Sequence, residues 1–396
     1  MSKTEIPSLR FHGFDDAWEQ RKFEDAFAER REKTERENED TLLSCAINGM
    51  FLNSELFGHF RGTTTIGYLR VKLNDLILSA QNLHLGNANV NLRFEHGIVS
   101  PAYKVYDLID CNPEFVQAWV KKEDTKNFFL AATTEGASQC RKNIEWATLG
   151  KQTIAMPSLQ EQTELGAFFT HLDNLITLHQ RKLEKLTNVK KSMLEKMFPR
   201  NGSCYPEIRF KEFTAPWEQR KLGDCFTERV ESMPDGELIS VTINDGIKKF
   251  SELGRHDNSN DDKSKYKKVC VGDIAYNSMR MWQGASGYSP YEGIVSPAYT
   301  VLSPNSGINS KCLAYQFKLP EMIHTFQVNS QGITSDNWNL KYPALSQIEI
   351  FVSKDEQEQA KIAEYFENLD HLITLHQREL GKLLSIKKAL LEKMFV

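Results

Sequence analysis

Two short segments of the chain place amide, imidazole, guanidinium and indole side chains in one shared frame. The frame runs from Asn74-Asp75-Leu76-Ile77 to Gly86 in the first segment and from Gly272-Asp273-Ile274-Ala275 to Gly284 in the second, at an offset of 198 residues. Inside it, Gln81, Asn82 and His84 of the first segment stand against Met279, Arg280 and Trp282 of the second, with Gln283 beside them. Asn and Gln can form paired hydrogen bonds with adenine, and Arg can do so with guanine. We therefore expect the two segments to read different DNA bases; the alternative is a variable polar loop without a role.

A second pair of segments, 136–143 and 332–339, is equivalent at an offset of 196 residues. Its candidate DNA-binding residues are Ser138, Arg141 and Lys142 in the first segment and Thr334, Asn337 and Trp338 in the second. Hydroxyl, amide and cationic groups of this kind hold phosphates or reach base edges. A lysine run could add phosphate contacts, although a solvated surface run explains it equally well. Its members are Lys263, Lys265, Lys267 and Lys268.

The sequence contains no motif that would let the chain carry out catalysis by itself. A Gly-x4-Gly-Lys-Ser/Thr phosphate loop, a Gly-x-Gly-x-x-Gly turn and an Asn-Pro-Pro-aromatic methyltransferase motif are all absent from it. The seven cysteines are scattered and are not spaced to bind zinc. We therefore expect a protein that is not an enzyme and that has no catalytic residue, cofactor or metal of its own.

Charge and hydrophobicity narrow the classes of partner. The formal net charge of the 396 residues is -4, so no basic field covers the whole protein. No stretch approaches the roughly 18 consecutive apolar residues of a membrane span, and residues 1–5 have no apolar region typical of an export signal. We expect a cytoplasmic protein that does not contact a membrane.

The chain is a tandem duplication. Leu9-Arg10-Phe11 and Trp18-Glu19-Gln20-Arg21-Lys22 return as Ile208-Arg209-Phe210 and Trp217-Glu218-Gln219-Arg220-Lys221. Gly97-Ile98-Val99-Ser100-Pro101-Ala102-Tyr103 is repeated letter for letter at residues 293–299. The hydrophobic periodicity changes near residues 160 and 356, so each repeat divides into a mixed part and a helical tail. The expected domains are 1–159, 160–198, 199–355 and 356–396.

The mixed parts indicate an α+β fold. Short apolar runs bounded by Gly, Pro, Asn and Ser are typical of strands, and they occur at 75–78, 154–156, 273–276 and 348–352. Helical segments are expected at 114–122 and 313–318. Residues 29–40 mix charges of both signs, which favours an exposed helix face.

Both tails carry a heptad pattern that is typical of a long helix with one apolar seam. One row of the seam is Leu165, Leu172, His179, Leu186 and Met193 in the first tail and Ile362, Leu369, His376, Leu383 and Leu390 in the second. Each helix would be roughly 58 Å long, and its stripe must be buried, so we expect the two tails to pair. The histidines lie at the midpoints, which favours an antiparallel pair in which they meet and fix the register. The alternative is a histidine tolerated at the edge of the seam.

Together these motifs resemble the specificity subunit of a type I restriction-modification system over essentially the whole chain. The resemblance rests on the duplicated Trp-Glu-Gln-Arg-Lys starts, the Gly-Asp-Ile-Ala-Tyr-Asn-Ser-Met-Arg-Met-Trp-Gln-Gly stretch at 272–284 and the Gly-Ile-Val-Ser-Pro-Ala-Tyr repeats. It rests also on the Leu-Asp-x-Leu-Ile-Thr-Leu-His-Gln-Arg helices that follow the openings at 160–162 and 356–359. The resemblance implies two pseudo-symmetric mixed α/β target recognition domains, separated by two long antiparallel coiled-coil helices that act as a ruler.

The resemblance also implies a division of labour between subunits. The chain would bind double-stranded DNA at a bipartite, asymmetric site, with adenine in each block, and would dock two methyltransferase subunits. A complete restriction complex would add two restriction subunits. S-adenosylmethionine, ATP and Mg²⁺ would be bound by these partners and not by this chain. The alternatives are a coiled-coil scaffold or adaptor without DNA specificity and a self-sufficient restriction enzyme or methyltransferase.

Overall fold

A computed structural model describes most of the chain. The described residues are 6–58, 62, 64–138, 141–200, 202–243, 246–257, 259–333 and 337–396, with the backbone alone for 135–138 and 141–143. Contacts group the chain into two units, which are Met1–Arg181 with Gln377–Val396, and Lys182–His376. Each unit therefore holds one mixed repeat and parts of both helical tails.

The first repeat is built mainly from short antiparallel strands. Its strands are β1 (Glu19–Lys22), β2 (Phe27–Arg30), β3 (Leu43–Ala46), β4 (Gly49–Leu52), β5 (Leu69–Lys72), β6 (Leu76–Ser79), β7 (Ala88–Val90), β8 (His96–Val99), β9 (Tyr103–Leu108), β10 (Thr133–Ser138), β11 (Arg141–Ile144) and β12 (Thr153–Met156). Its helices are α1 (Phe23–Ala26), α2 (Asn53–Leu56), α3 (Pro113–Val120), α4 (Glu123–Ala131) and α5 (Trp146–Lys151). The main sheet has the order β2-β9-β6-β7, and the remaining strands form the pairs β1-β12, β3-β4, β5-β8 and β10-β11.

The second repeat follows the long helix α6 (Leu159–Lys196) and precedes the long helix α11 (Glu356–Met394). Its strands are β13 (Glu218–Lys221), β14 (Phe226–Glu228), β15 (Ile239–Thr242), β16 (Gly246–Lys249), β17 (Lys267–Val269), β18 (Ile274–Asn277), β19 (Ser286–Tyr288), β20 (Gly293–Val295), β21 (Tyr299–Pro304) and β22 (Glu349–Val352). Its short helices are α7 (Leu222–Cys225), α8 (Ser310–Gln316), α9 (Pro320–Val328) and α10 (Tyr342–Leu345). The main sheet, β14-β21-β18-β19, repeats the topology of the first repeat. Among the residues that the structure describes there, the counterpart of the β10-β11 hairpin is an isolated antiparallel bridge between Gln331 and Asn339.

The strand and helix predictions for the mixed parts are confirmed. The four predicted apolar runs become β6, β12, β18 and β22, and the two predicted helical segments overlap α3 and α8. The prediction of a helix face at 29–40 is wrong, because these residues end β2 and then form a loop. Glutamates stabilise this loop: Glu39 accepts from the Glu35 N–H within it at 2.6 Å, and Glu37 accepts from the Thr65 N–H of a second segment at 2.8 Å. These side-chain bonds replace the backbone bonds of a helix.

The central strands β6 and β18 are each anchored by a buried aspartate at their start. Asp273 accepts two hydrogen bonds from the Arg229 guanidinium, at 2.7 and 3.0 Å, and one from the Cys270 N–H at 2.8 Å. Asp75 and Arg30 form the equivalent ion pair in the first repeat. Paired hydrogen bonds between guanidinium and carboxylate fix both position and orientation. The two central strands therefore begin at equivalent points of their sheets.

The Gly-Ile-Val-Ser-Pro-Ala-Tyr motif forms β8 and β20 and belongs to the scaffold. A Cβ atom on Gly97 would lie 2.5 Å from the Leu43 side chain, and one on Gly293 would lie 2.4 Å from the Glu237 carbonyl oxygen. Only glycine fits at these two close approaches.

The long helices confirm the heptad prediction and its antiparallel direction. In the first unit, Phe169 of α6 lies beside Phe395, which follows α11, with 5.6 Å between ring centroids. Further along α6, Asp173 forms an ion pair with Lys387 of α11. Residue numbers rise along one helix as they fall along the other, so the two segments are antiparallel.

The second unit shows the equivalent pairing. Phe198, just after α6, lies 6.2 Å from Phe366 of α11, and Lys190 forms an ion pair with Asp370. Both lysines belong to a second heptad row that is otherwise apolar. Lys190 follows Phe169, Ile176 and Leu183 at intervals of seven, and Lys387 follows Phe366, Ile373 and Leu380 in the same way. Each neutralises its charge on an aspartate of the opposite helix, which explains how a cation is accommodated there.

The predicted contact between the midpoint histidines is not tested by these packing relations. His179 belongs to the first unit and His376 to the second, and both side chains are half-buried. Their role in fixing the helix register stays a prediction.

The residues just beyond the long helices enter the hydrophobic cores of the repeats. Phe395 lies 5.3 Å from Phe115 and 6.0 Å from Trp18 of the first repeat, measured between ring centroids. Phe198 lies 5.9 Å from Trp217 of the second repeat. Both phenylalanines are almost completely buried. The core of each repeat therefore depends on the end of the long helix that belongs to the other repeat.

A buried polar junction holds the start of each long helix. Glu358 has no exposed surface and accepts hydrogen bonds from Arg209 at 2.6 and 2.8 Å. The next residue, Gln359, accepts from the Asn309 N–H at 2.8 Å and donates to the Ser353 carbonyl oxygen at 2.9 Å. The first repeat has the same junction, formed by Arg10 with Glu161 and by Gln162 with Asn112 and Pro157. The repeated Arg and Glu-Gln motifs thus connect the beginning of each mixed part to its helix.

This junction makes a prediction about stability. Arg209→Met leaves the carboxylate of Glu358 buried without its cation, so the free energy of unfolding should fall by about 3–5 kcal/mol. Urea unfolding of the full chain, followed by tryptophan fluorescence, measures the change. The matched control is Arg209→Met combined with Glu358→Met, which removes both charges and should recover most of the loss. A single variant that loses less than about 1 kcal/mol would contradict this interpretation.

Candidate nucleic-acid interface

Each central strand ends in a turn that carries the first set of predicted site residues. We call residues 79–86 the first polar turn and residues 277–284 the second polar turn. Each contains one turn of 3-10 helix and closes at a glycine with positive φ, 84° at Gly86 and 81° at Gly284. The residues that precede the 3-10 turns also match, with φ of -124° at Asn82 and -128° at Arg280. The two turns thus present different side chains from the same backbone frame.

The exposed residues of the two turns differ in chemistry. Gln81 and Asn82 are exposed in the first polar turn, and Arg280 and Gln283 are exposed in the second. Asn82 and Arg280 occupy equivalent positions. One turn therefore presents amides, which suit adenine, and the other presents a guanidinium, which suits guanine.

Two predicted residues, His84 and Trp282, are less accessible to DNA than the exposed residues of the turns. His84 is half-buried, and its Nδ1 atom is buried without a hydrogen-bond partner among the described residues. Trp282 is half-buried, and its Nε1 atom donates to the Met279 carbonyl oxygen at 3.1 Å. The indole donor of Trp282 is therefore used within the turn.

The structure brings both predicted segments of the second repeat together. The Trp282 and Trp338 rings meet edge to face, with 5.2 Å between centroids. The backbone N–H of Leu340 donates to the Ser278 carbonyl oxygen at 2.9 Å, and the Tyr276 hydroxyl donates to the Leu340 carbonyl oxygen at 3.1 Å. The segment 337–340 thus supports the second polar turn from one side.

The structure describes the other predicted residues to different extents. Thr334 lies outside the described residues, and Asn337 is exposed. For Ser138, Arg141 and Lys142 the structure describes the backbone alone, at the ends of β10 and β11. Their DNA contacts stay predictions.

The second repeat also contains a cleft that sequence reasoning missed. Its volume is about 590 Å³, and its lining includes Arg255, His256, Asn260, Tyr266 and Tyr299. The one signal for it in the sequence is Tyr299, the polar end of an otherwise apolar motif. The loop that supplies Arg255 to Asn260 is distant in sequence from both predicted segments.

Tyr299 connects the cleft to the second polar turn. Burial raises the pKa of its hydroxyl, while a hydrogen bond with Asn277 and the charge of Arg280 act in the opposite direction. Tyr299 thus links the cleft to Asn277, the first residue of the second polar turn. The lining also includes the carboxylate of Asp257, so its cationic, amide and aromatic groups suit a nucleobase better than a phosphate.

The lysine run adds little free positive charge to this surface. Lys267 lies 3.4 Å from Glu228, and Lys268 lies 3.0 Å from Glu231. Two of the four cations are thus paired within the protein, which favours the interpretation as a structural surface run.

Two buried thiols are unreactive at neutral pH, and the described residues contain no cluster that suits a metal ion. Burial raises the pKa of Cys45 and of Cys225 to about 11, so both thiols stay protonated at neutral pH. Among the described residues, no group of three or more His, Cys, Asp or Glu side chains is arranged to bind a metal ion. Within the same residues, no helix has the length and apolar character needed to span a membrane.

Comparisons by sequence and by structure find proteins of the same class. Residues 72–188 and 215–385 match the family described as the type I restriction modification DNA specificity domain. The chain is 24% identical over 180 residues to the MjaX specificity subunit of a type I restriction enzyme from Methanocaldococcus jannaschii; this match covers 44% of the chain and 38% of that relative. The fold is similar to the crystal structure of a type I restriction-modification S subunit from M. genitalium, with a TM-score of 0.61, 14% identity and 99% of both chains covered.

Proposed function

The chain belongs to the family of type I restriction modification DNA specificity domains, and we propose that it is the non-catalytic subunit that reads DNA sequence for an adenine methyltransferase complex. The two polar turns carry this proposal. Their backbones are equivalent, but their exposed residues favour different bases. A protein with two such modules would read a bipartite site whose two blocks differ.

We assign base reading to residues 1–159 and 199–355, with the long helices setting the distance between the blocks. The helices contain 38 and 39 residues, roughly 57 Å at 1.5 Å per residue. That length corresponds to about 17 base pairs at 3.4 Å each. Contacts inside the helix ends would give two blocks and a fixed gap, about 12–16 base pairs in total.

The partners follow from the same proposal. The chain would bind double-stranded DNA and dock two methyltransferase subunits, and two restriction subunits would complete a nuclease. S-adenosylmethionine, ATP and Mg²⁺ would be bound by those partners. Such a complex would work in the cytoplasm, where it meets the DNA of the cell.

Co-expression of the chain with the methyltransferase subunit of the same system tests the proposal. An unmethylated host carrying both proteins should acquire adenine methylation at an asymmetric motif of two blocks with a fixed gap, read by long-read sequencing. Host cells with the methyltransferase alone are the control. A continuous motif, or a stable complex that leaves DNA unmethylated, would favour the scaffold alternative.

The equivalent positions in the polar turns predict effects on one block each. Arg280→Ala should lower discrimination at one position of one block by about 1–3 kcal/mol, because a paired contact with guanine is lost. Asn82→Ala should affect only the other block. Duplex competition binding by the complex, with single-base variants of the motif, measures both changes.

Val271→Ala is the control for this comparison. Val271 is an exposed apolar residue that precedes β18, at the opposite end of that strand from the polar turn, so its replacement should leave discrimination unchanged. If Arg280→Ala weakens binding to all sequences equally, Arg280 contacts phosphate and not a base.

The proposed role of the helices makes a separate prediction. Inserting seven residues at equivalent points of α6 and α11 lengthens the pair by about 10 Å, so the gap should grow by roughly three base pairs. Methylome sequencing of the variant reads the gap and both blocks. The same insertion in α6 alone breaks the register with α11 and should abolish methylation. A change in the identity of either block would rule out a ruler.

A further inference from the structure

In each repeat, a half-buried lysine donates hydrogen bonds to backbone carbonyl oxygens at the end of the polar turn or just after it. In the second repeat, Lys318 follows α8, and its ammonium group donates to three backbone carbonyl oxygens. The distances are 2.7 Å to Gly284, 2.8 Å to Ser286 and 3.2 Å to Ile243. An ammonium has three N–H donors, and here each has a carbonyl acceptor.

These carbonyls belong to two different loops. Gly284 closes the second polar turn and Ser286 begins β19, whereas Ile243 lies just after β15, in the connection to β16. Lys318 therefore ties the polar turn to the neighbouring hairpin. Burial is the main cause that lowers its pKa to about 8, with repulsion from Lys190 as a second cause. An ammonium in this place thus loses solvation, and its carbonyl bonds offset that loss.

The first repeat has a related arrangement, in which the lysine reaches β7, the strand that follows the first polar turn. Lys121 donates to the carbonyl oxygens of Ala88 at 2.9 Å and Ile47 at 2.7 Å, which are the equivalents of Ser286 and Ile243. Two amide side chains strengthen the connection on this side: Asn87 donates to the Cys45 carbonyl oxygen at 3.1 Å and Asn89 to the Ala46 carbonyl oxygen at 2.6 Å.

The second repeat lacks these amides. Ala285 and Gly287 stand at the equivalent positions. A Cβ atom on Gly287 would lie 2.9 Å from the backbone nitrogen of Ile247 and 3.0 Å from the Cα of Gly246, so no side chain fits there. The second polar turn consequently depends on Lys318 more than the first depends on Lys121.

We propose that Lys318 is a positioning residue for base recognition, because it fixes the second polar turn against the β15-β16 hairpin. In the first repeat, Lys121 fixes β7, the strand that follows the first polar turn, against the β3-β4 hairpin, together with Asn87 and Asn89. This inference rests on the proposed function and identifies residues that act on specificity without touching DNA.

Lys318→Met and Lys121→Met test the inference, since methionine keeps the length of the side chain and removes its donors. In the complex with the methyltransferase, Lys318→Met should lower discrimination at one block by about tenfold or more, because carbonyls in the turn lose their donor. The other block should be unchanged. Lys121→Met should affect only that other block, by about threefold or less, because Asn87 and Asn89 remain. Lys354→Met, which removes an ion pair with Glu218 outside both the turn and the hairpin, is the matched control.

The methylation pattern of the Lys318→Met variant decides whether the inference stands. Equal relaxation of both blocks by Lys318→Met, or unchanged stringency, overturns the inference. If this variant methylates nothing, hydrogen exchange of the purified complex replaces the methylome: faster exchange confined to residues 239–249 and 277–288 supports the inference, and faster exchange throughout 199–355 overturns it. The wild-type protein reports separately on the proposed function. If its motif is not bipartite, that function fails, and the exchange comparison still tests whether Lys318 fixes the turn.

Discussion

The packing of Phe198 and Phe395 is the constraint on which the rest of the structure depends. Each phenylalanine follows a long helix of one repeat and is buried in the aromatic core of the other, beside Trp217 or Trp18. Neither core is complete without this exchange, so the antiparallel direction of the helices is set by the folding of the repeats themselves. The seam ion pairs then select one alignment within that direction, because each lysine needs its aspartate.

Rigid connections lead from the helices to the polar turns. The buried pairs Arg10 with Glu161 and Arg209 with Glu358 join each helix to its mixed part. Arginine–aspartate pairs anchor the central strands that end in the turns. Inside this scaffold the exposed positions contribute little to the core, so their chemistry can differ between the repeats while the backbone stays the same. Two modules that read different targets require a constant backbone with different exposed side chains.

Regular patterns made much of this architecture predictable. The heptads, the apolar strands and the equivalence of the turns all follow from local periodicity or from the duplication. Contacts between distant residues could not be predicted: Trp282 meets Trp338, Arg255 shares a cleft with Tyr299, and Lys318 reaches carbonyls of two loops. The error at 29–40 has a related cause, because the carboxylates that stabilise that loop bind backbone groups which a charge pattern does not reveal.

The central claim is that one chain reads two different DNA blocks at a fixed separation. The most direct measurement is selection of duplexes from a random pool by the purified chain in complex with its methyltransferase subunit, at near-physiological salt, followed by sequencing. The account predicts enrichment of two unlike blocks separated by a random gap of constant length. Enrichment of a single continuous block, or no enrichment above the methyltransferase alone, would contradict it.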